Sequence, residues 1–176
     1  VFTTDLAKIY ALDGKTGTLI WQSSLERDQY GNSYFMATPL CYDLTEDGTA
    51  DVIVASGGSG GIHALNGNDG KKLWSYENAS GVHASPVILD EDGGLIIVFA
   101  SYGDIRILNK EGQVQRTIDF PIGLFAQPLF TPDGRLFAGI AWWDGKGNEL
   151  ISKQINNDND WKEEGGIYKL PNDVPN

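Results

Sequence analysis

The sequence is poor in the residues that build covalent or metal-held frameworks, with one cysteine, one methionine and two histidines among 176 residues. A lone Cys41 can form no intrachain disulfide, so the redox compartment is not legible, and in a strand-like segment it reads as a small apolar side chain. His63 and His83 make no metal site by spacing alone, and His63 reads as a half-buried strand residue. Basic residues are scarce as well. Thirteen Lys and Arg against 24 Asp and Glu give a net charge of −11, which repels a phosphate backbone and an anionic lipid surface, so no nucleic-acid partner is expected. The longest apolar run, around 95–100, falls far short of the roughly 20 residues of a membrane helix, so no membrane span is expected. Initiating Met, basic n-region and signal-type apolar stretch are all missing, and Val1 reads as a processed or excised start. Nothing in the sequence argues for a helix.

What the chain does have is a repeat. Residues 8–21, KIYALDGKTGTLIW, return less perfectly at 61–74 and fade at 104–118. In each copy a short alternating strand runs into Asp or Asn, a Gly-centred turn and a second strand, which is the pattern of a β-hairpin. A period of roughly 40 to 55 residues made only of strands belongs to propeller blades rather than to shorter solenoid units. The chain is therefore expected to be all-β, a β-propeller of four-stranded antiparallel blades. A second repeat opens each blade: Ala37-Thr38-Pro39, Ala84-Ser85-Pro86 and Ala126-Gln127-Pro128. Proline is tolerated where a strand begins at an edge, as the innermost strand of a blade does.

These signals divide the chain into blade segments of about 1–33, 34–80, 81–122 and 123–176 within a single domain. Strands are expected at 1–4 and in the hairpin 8–21, leaving the first blade without its innermost strand. They are next expected at 35–42, 51–56, 61–66 and 71–76, then at 83–89, 94–101, 104–109 and 113–118. A last, degenerate blade opens at Phe125, with strands at 149–155 and 167–170 around a polar excursion. An unpaired inner edge in the first blade exposes backbone donors and acceptors, and so calls for a protein partner or self-association there.

Ala11, Asp13, Thr16, Gly17 and Trp21 fit A-x-D-x-x-T-G-x-x-x-W, and the chain here resembles the quinoprotein-like (PQQ-like) β-propeller repeats with their tryptophan-docking motif. The second copy keeps Ala64, Gly70 and Trp74, with Asn66 and Asp69 in place of the motif's Asp and Thr; the third retains little beyond Asn109 and Gly112. The resemblance implies that Trp21 and Trp74 pack between blades. It also implies closure with seven or eight blades, so about four blades read as part of a larger ring, with a self-contained small propeller as the alternative. The family includes quinone-dependent dehydrogenases and scaffolds without a cofactor, and fold alone does not choose between them.

The sharpest chemical candidate is the stretch 43–51, DLTEDGTAD. Oxygen ligands at alternate positions, a glycine at the sharp turn and a later carboxylate are what calcium needs from one loop. Asp43, Thr45, Asp47 and Asp51 would offer side chains and Thr49 a carbonyl. The stretch also resembles the calcium loops of FG-GAP and VCBS-type propeller repeats, with Thr45 departing from their usual Asp or Asn. The alternative is an acidic hairpin whose Asp-Gly pair makes the turn. His83 aligns with Met36 and Phe125 at the entrance to the inner strands, where the three could line one lip of the channel. No serine sits in a nucleophile-elbow context and no third group is placed to orient a histidine. The adjacent Cys pair of many quinoprotein dehydrogenases is absent, which makes PQQ an unlikely cofactor. The expectation is a non-catalytic binding or assembly module of an exported or cell-surface protein, periplasmic or extracellular and stiffened by calcium; the alternative is part of a PQQ-dependent dehydrogenase.

Overall fold

The computed structural model describes residues 1–3, 8–25, 34–35, 37–58, 60–77, 81–91, 94–123, 127–130, 136–138, 153–155, 161–163 and 168–169. Every regular element among them is a β-strand, and every pairing is antiparallel. The first sheet contains β1 (Phe2–Thr3), β2 (Lys8–Leu12) and β3 (Leu19–Ser24) in that order. The second is a complete blade of four strands in sequence order, β4 (Leu40–Tyr42), β5 (Asp51–Ala55), β6 (Gly61–Leu65) and β7 (Lys72–Glu77). By register β2 corresponds to β6 and β3 to β7, since Ala11 pairs with Trp21 as Ala64 pairs with Trp74. Among the described residues the first blade shows three strands, none of which corresponds to β4.

The third sheet joins β8 (Val87–Glu91), β9 (Gly94–Asn109) and β10 (Val114–Gly123). Two strands were expected where β9 runs unbroken for 16 residues. Residues 94–98 pair with β8 and 102–108 with β10. Tyr102 pairs with Gly123 beyond a register shift between Asp119 and Gly123, so the link is taken up as an irregular stretch of one continuous strand. Farther on, β11 (Leu129–Phe130), β12 (Leu136–Ala138) and β15 (Tyr168–Lys169) form a sheet, and β13 (Lys153–Ile155) pairs with β14 (Trp161–Glu163). The polar excursion after Ile155 therefore contains a short strand that alternation did not reveal, in which Trp161 pairs with Ile155.

Each blade-opening proline directly precedes a strand: Pro39 before β4, Pro86 before β8 and Pro128 before β11. Those strands begin later than the sequence suggests because proline, with no N–H to give the ladder, sits outside it.

Packing follows from a sheet covered on both faces. Residues Asp51–Ala55 of β5 are all buried, and their side chains point alternately to opposite sides. Val52 and Val54 join Ile9, Ala11, Trp21, Phe35 and Leu65 in one cluster. Ile53 and Ala55 join Ile62, Ala64, Val82, Ile97, Phe99 and Leu108 in another. The middle blade is held between its neighbours by two apolar layers, which is why β5 reads as an unbroken apolar run instead of an alternating one.

Candidate functional site: the docked blade interfaces and the 43–51 loop

The hairpin turns carry the docking. In the first, Asp13 Oδ1 accepts the N–H groups of Lys15 (2.9 Å) and Thr16 (2.7 Å) and the Thr16 hydroxyl (2.9 Å). The Thr16 N–H, its hydroxyl and the Lys15 N–H, in that order, hold the Asp13 carboxyl below its ordinary range. Gly17 closes the turn at φ 71°, its N–H donating to Asp13 O at 2.8 Å. The second turn repeats this with Asn66 and Gly70 (φ 71°), the third with Asn109 and Gly112 (φ 78°). Asn serves because its side-chain oxygen accepts local N–H groups as Asp does: Asn66 Oδ1 takes Asn68 N, and Asn109 Oδ1 takes Gln113 N.

Onto each later turn comes an indole from the blade before. Trp21, 7% exposed, donates Nε1–H to Gly67 O at 2.7 Å. A Cβ on Gly70 would lie 2.5 Å from Trp21 Cε3. Trp74, half-buried, donates to Lys110 O at 2.9 Å, and a Cβ on Gly112 would lie 2.5 Å from its Cε3. The weakest copy of the repeat therefore keeps the two residues, Asn109 and Gly112, that make a receptor for Trp74. Ala11 and Ala64 are buried opposite the two tryptophans, leaving room for the rings.

The carboxylates of the 43–51 loop already serve the chain's own donors. Asp51 is fully buried; its Oδ2 accepts Leu44 N, Thr45 N and Thr45 Oγ1, each at 3.0 Å, and its Oδ1 accepts Gly67 N at 2.9 Å. Asp43 accepts Asp47 N (3.1 Å) and Gly48 N (2.9 Å), one on each oxygen. Asp47 accepts Thr49 N (2.8 Å) and Asn68 Nδ2 (3.0 Å). Among the described residues no group of three or more His, Cys, Asp or Glu is placed to hold a metal ion. These hydrogen bonds close the loop and, through Gly67, fix the turn that receives Trp21.

His63 lies on β6 between two serines, with Nε2 2.9 Å from Ser56 Oγ and Nδ1 3.0 Å from Ser75 Oγ. Burial, and secondarily Lys72, push its pKa down to about 4. A serine bonded to a histidine has the makings of a nucleophile and base. Here Ser56 is 1% exposed and its oxygen also accepts Gly61 N at 3.0 Å, so the pair faces protein rather than a substrate. The sequence reading missed this pair because it depends on the β5–β6 register. His83 lies beside Tyr34, their ring centroids 6.0 Å apart; its expected lip companions, Met36 and Phe125, fall outside the described residues.

A cleft of about 380 Å³ opens between the second and third blades, lined by Tyr42, Asp43, Glu46, Asp90, Leu95 and Lys110 among others. Tyr42 donates its hydroxyl to Asp90 Oδ2 at 2.5 Å, and this bond raises the Tyr42 pKa. Lys110 pairs with Glu46 at 2.6 Å. Both are ties across the blade boundary, the second between exposed partners that solvent screens.

With these interfaces in view, the likeness to known proteins is direct. A PQQ-repeat family model described as outer membrane protein assembly factor BamB matches residues 1–123. The chain belongs to this family. The solved structure of BamB from Moraxella catarrhalis superposes with a TM-score of 0.56 at 18% identity, covering 78% of this chain and 38% of that one. The V. cholerae biofilm matrix protein Bap1 superposes with a TM-score of 0.52 at 24% identity, covering 77% of this chain and 27% of that one. The chain thus spans well under half the length of either, and at these identities the likeness speaks for the propeller fold. No curated protein sequence matches.

Proposed function

We propose that this chain is part of a non-catalytic β-propeller serving as a binding or assembly platform in an exported or cell-surface protein. The observation that carries this reading is the match of residues 1–123 to the BamB family model, whose description names an assembly factor. Two features support it. The buried Asp51 and the Ser56–His63 pair are used to hold turns and strands, and the inner edge of the first blade ends on the two-residue strand β1. The backbone groups along that edge suit a protein partner or a second copy adding a strand.

The test has two arms. Fractionation of the cells that make the protein, with protease treatment of intact cells, should find it in the envelope or outside; a wholly cytoplasmic protein would overturn the exported reading. Reconstitution with pyrroloquinoline quinone and calcium, followed by dye-linked oxidation of alcohols and sugars, should give no turnover. Sustained turnover would establish the dehydrogenase reading instead.

A further inference from the structure

The turn that receives Trp21 contains the only Asn-Gly step of the sequence, Asn66-Gly67. In water an asparagine amide is lost most readily at such a step, because a glycine nitrogen, unshielded by a side chain, can close on the asparagine Cγ. The glycine cannot be exchanged for a safer residue, since a Cβ on Gly67 would collide with the Ala50 carbonyl oxygen. The matching step of the third turn, Asn109-Lys110, keeps the asparagine but follows it with a side chain, which hinders that closure.

The Gly67 peptide is held from both neighbouring strands systems. Its N–H donates to Oδ1 of the fully buried Asp51 at 2.9 Å, and its carbonyl accepts the Trp21 indole N–H at 2.7 Å. Asn66 is fixed as well, its Oδ1 accepting Asn68 N at 2.9 Å, its N–H donating to Lys71 O at 2.7 Å and its carbonyl accepting Gly70 N at 2.9 Å. Amide loss must begin by removing the very proton that Asp51 holds, and it leaves negative charge on a nitrogen beside a carboxylate, which opposes it. Closing the cyclic imide also turns the Gly67 peptide, and the bond from Trp21 resists that turn.

We propose that Asn66 is a site of self-modification gated by the interface between the first two blades. With Trp21 and Asp51 in place the amide is kept. When the interface opens locally, Gly67 N gives its proton to a solvent base and attacks Asn66 Cγ; the new C–N bond forms, the Cγ–Nδ2 bond breaks and ammonia leaves. Water then opens the imide at either carbonyl, giving aspartate or isoaspartate at this position. Isoaspartate runs the main chain through the former side chain and lengthens the turn by a backbone carbon, so Gly67 can no longer meet Asp51 and Trp21 together. The interface then does not close again. This goes beyond the platform reading and stands whether or not that reading does.

The test holds the purified protein in mildly alkaline buffer, folded or in urea, and follows the peptide containing Asn66 by mass spectrometry that registers aspartate and isoaspartate separately. Conversion should be at least roughly tenfold slower in the folded protein, the factor that an opening free energy of about 1.4 kcal/mol gives. Trp21→Phe, which keeps an aromatic ring and loses the N–H to Gly67 O, should speed conversion of the folded protein about fivefold, the factor of one net hydrogen bond. Trp74→Phe loosens the other interface and should leave the rate unchanged. Asp51→Asn, which keeps an oxygen there and removes the charge, should also speed conversion; where it fails to fold, the two tryptophan variants still decide. The isoaspartyl fraction, isolated by chromatography, should unfold at lower urea than the parent. Equal rates folded and unfolded, equal effects of the two tryptophan variants, or an isoaspartyl fraction with the parent's midpoint would overturn the proposal.

Discussion

The ring of Trp21 lies so close to Gly70 that one added carbon on that glycine would come within 2.5 Å of Trp21 Cε3, and its N–H reaches Gly67 O, 46 residues away in sequence. One side chain thereby closes an apolar layer and fixes a turn of the neighbouring blade. The glycine is required twice over, by its positive φ and by the ring above it.

Removing that ring should cost much of the stability of a domain this size. Trp21→Ala is expected to destabilise by about 3 to 5 kcal/mol, read by urea denaturation of residues 1–176. Trp21→Phe, which keeps an aromatic ring and loses the N–H to Gly67 O, should cost less. A Trp21→Ala variant with the parent's unfolding midpoint would contradict the docking.

Asp51 is expected to matter more than any other carboxylate of its loop. Asp51→Ala takes the acceptor from the N–H groups of Leu44, in a buried site, and of Thr45 and Gly67, in partly buried ones, and an unpaired buried donor costs roughly 1 to 3 kcal/mol. Asp47→Ala loses two exposed contacts and should cost well under half as much. The same denaturation assay decides, and equal losses would refute the ranking.

Calcium should leave the fold as it is. The carboxylates of Asp43, Asp47 and Asp51 are held in place by donors of the chain itself, so the melting temperature in calcium and in chelator is expected to coincide. A rise that grows with the logarithm of free calcium is the signature of binding to the folded state, and it would show that the loop rearranges to take the ion.

His63 gives the protein an acid sensitivity with a defined window. Its folded pKa of about 4 lies below the ordinary value of 6.5. As pH falls the unfolded chain takes the proton first, so this contribution to stability is complete above about pH 6.5 and is lost as pH falls toward 4. The difference amounts to about 3 kcal/mol at most. Denaturation midpoints taken across that range should fall more steeply for the parent than for His63→Gln; parallel slopes would count against a neutral, buried imidazole.

Much of this arrangement can be read from residues alone, and what cannot has physical reasons. The Ala-x-Pro openings and the A-x-D-x-x-T-G-x-x-x-W copy carry local chemistry, a missing N–H and an Asx-held turn, so they mark strand starts and docking tryptophans directly. The receiving side of the docking is harder to see. Gly70 and Gly112 read as turn glycines, and only a neighbouring blade shows the ring upon them; the available signal was that the third copy loses nearly everything except Asn109 and Gly112. Asp51 reads as a calcium ligand because a carboxylate after Asp-Gly suits one, yet it opens the all-buried strand β5, where its oxygens meet N–H groups of two other turns. The Ser56–His63–Ser75 chain depends on cross-strand register, and the seat of the Arg106 guanidinium 5.4 Å from the centroid of the Tyr76 ring depends on a blade boundary. Neither is encoded in spacing.

The interlocking of blades by an indole seated on a turn glycine is tested most directly by Gly70→Ala beside Gly17→Ala in residues 1–176. Both glycines have φ 71°, so both variants carry the same backbone strain, and only Gly70 lies beneath a described ring. Docking predicts that Gly70→Ala is the less stable by about 1 to 3 kcal/mol, the usual cost of overfilling a packed site, with Trp21 fluorescence shifted toward that of a solvated indole. Equal stabilities and unchanged fluorescence would contradict it.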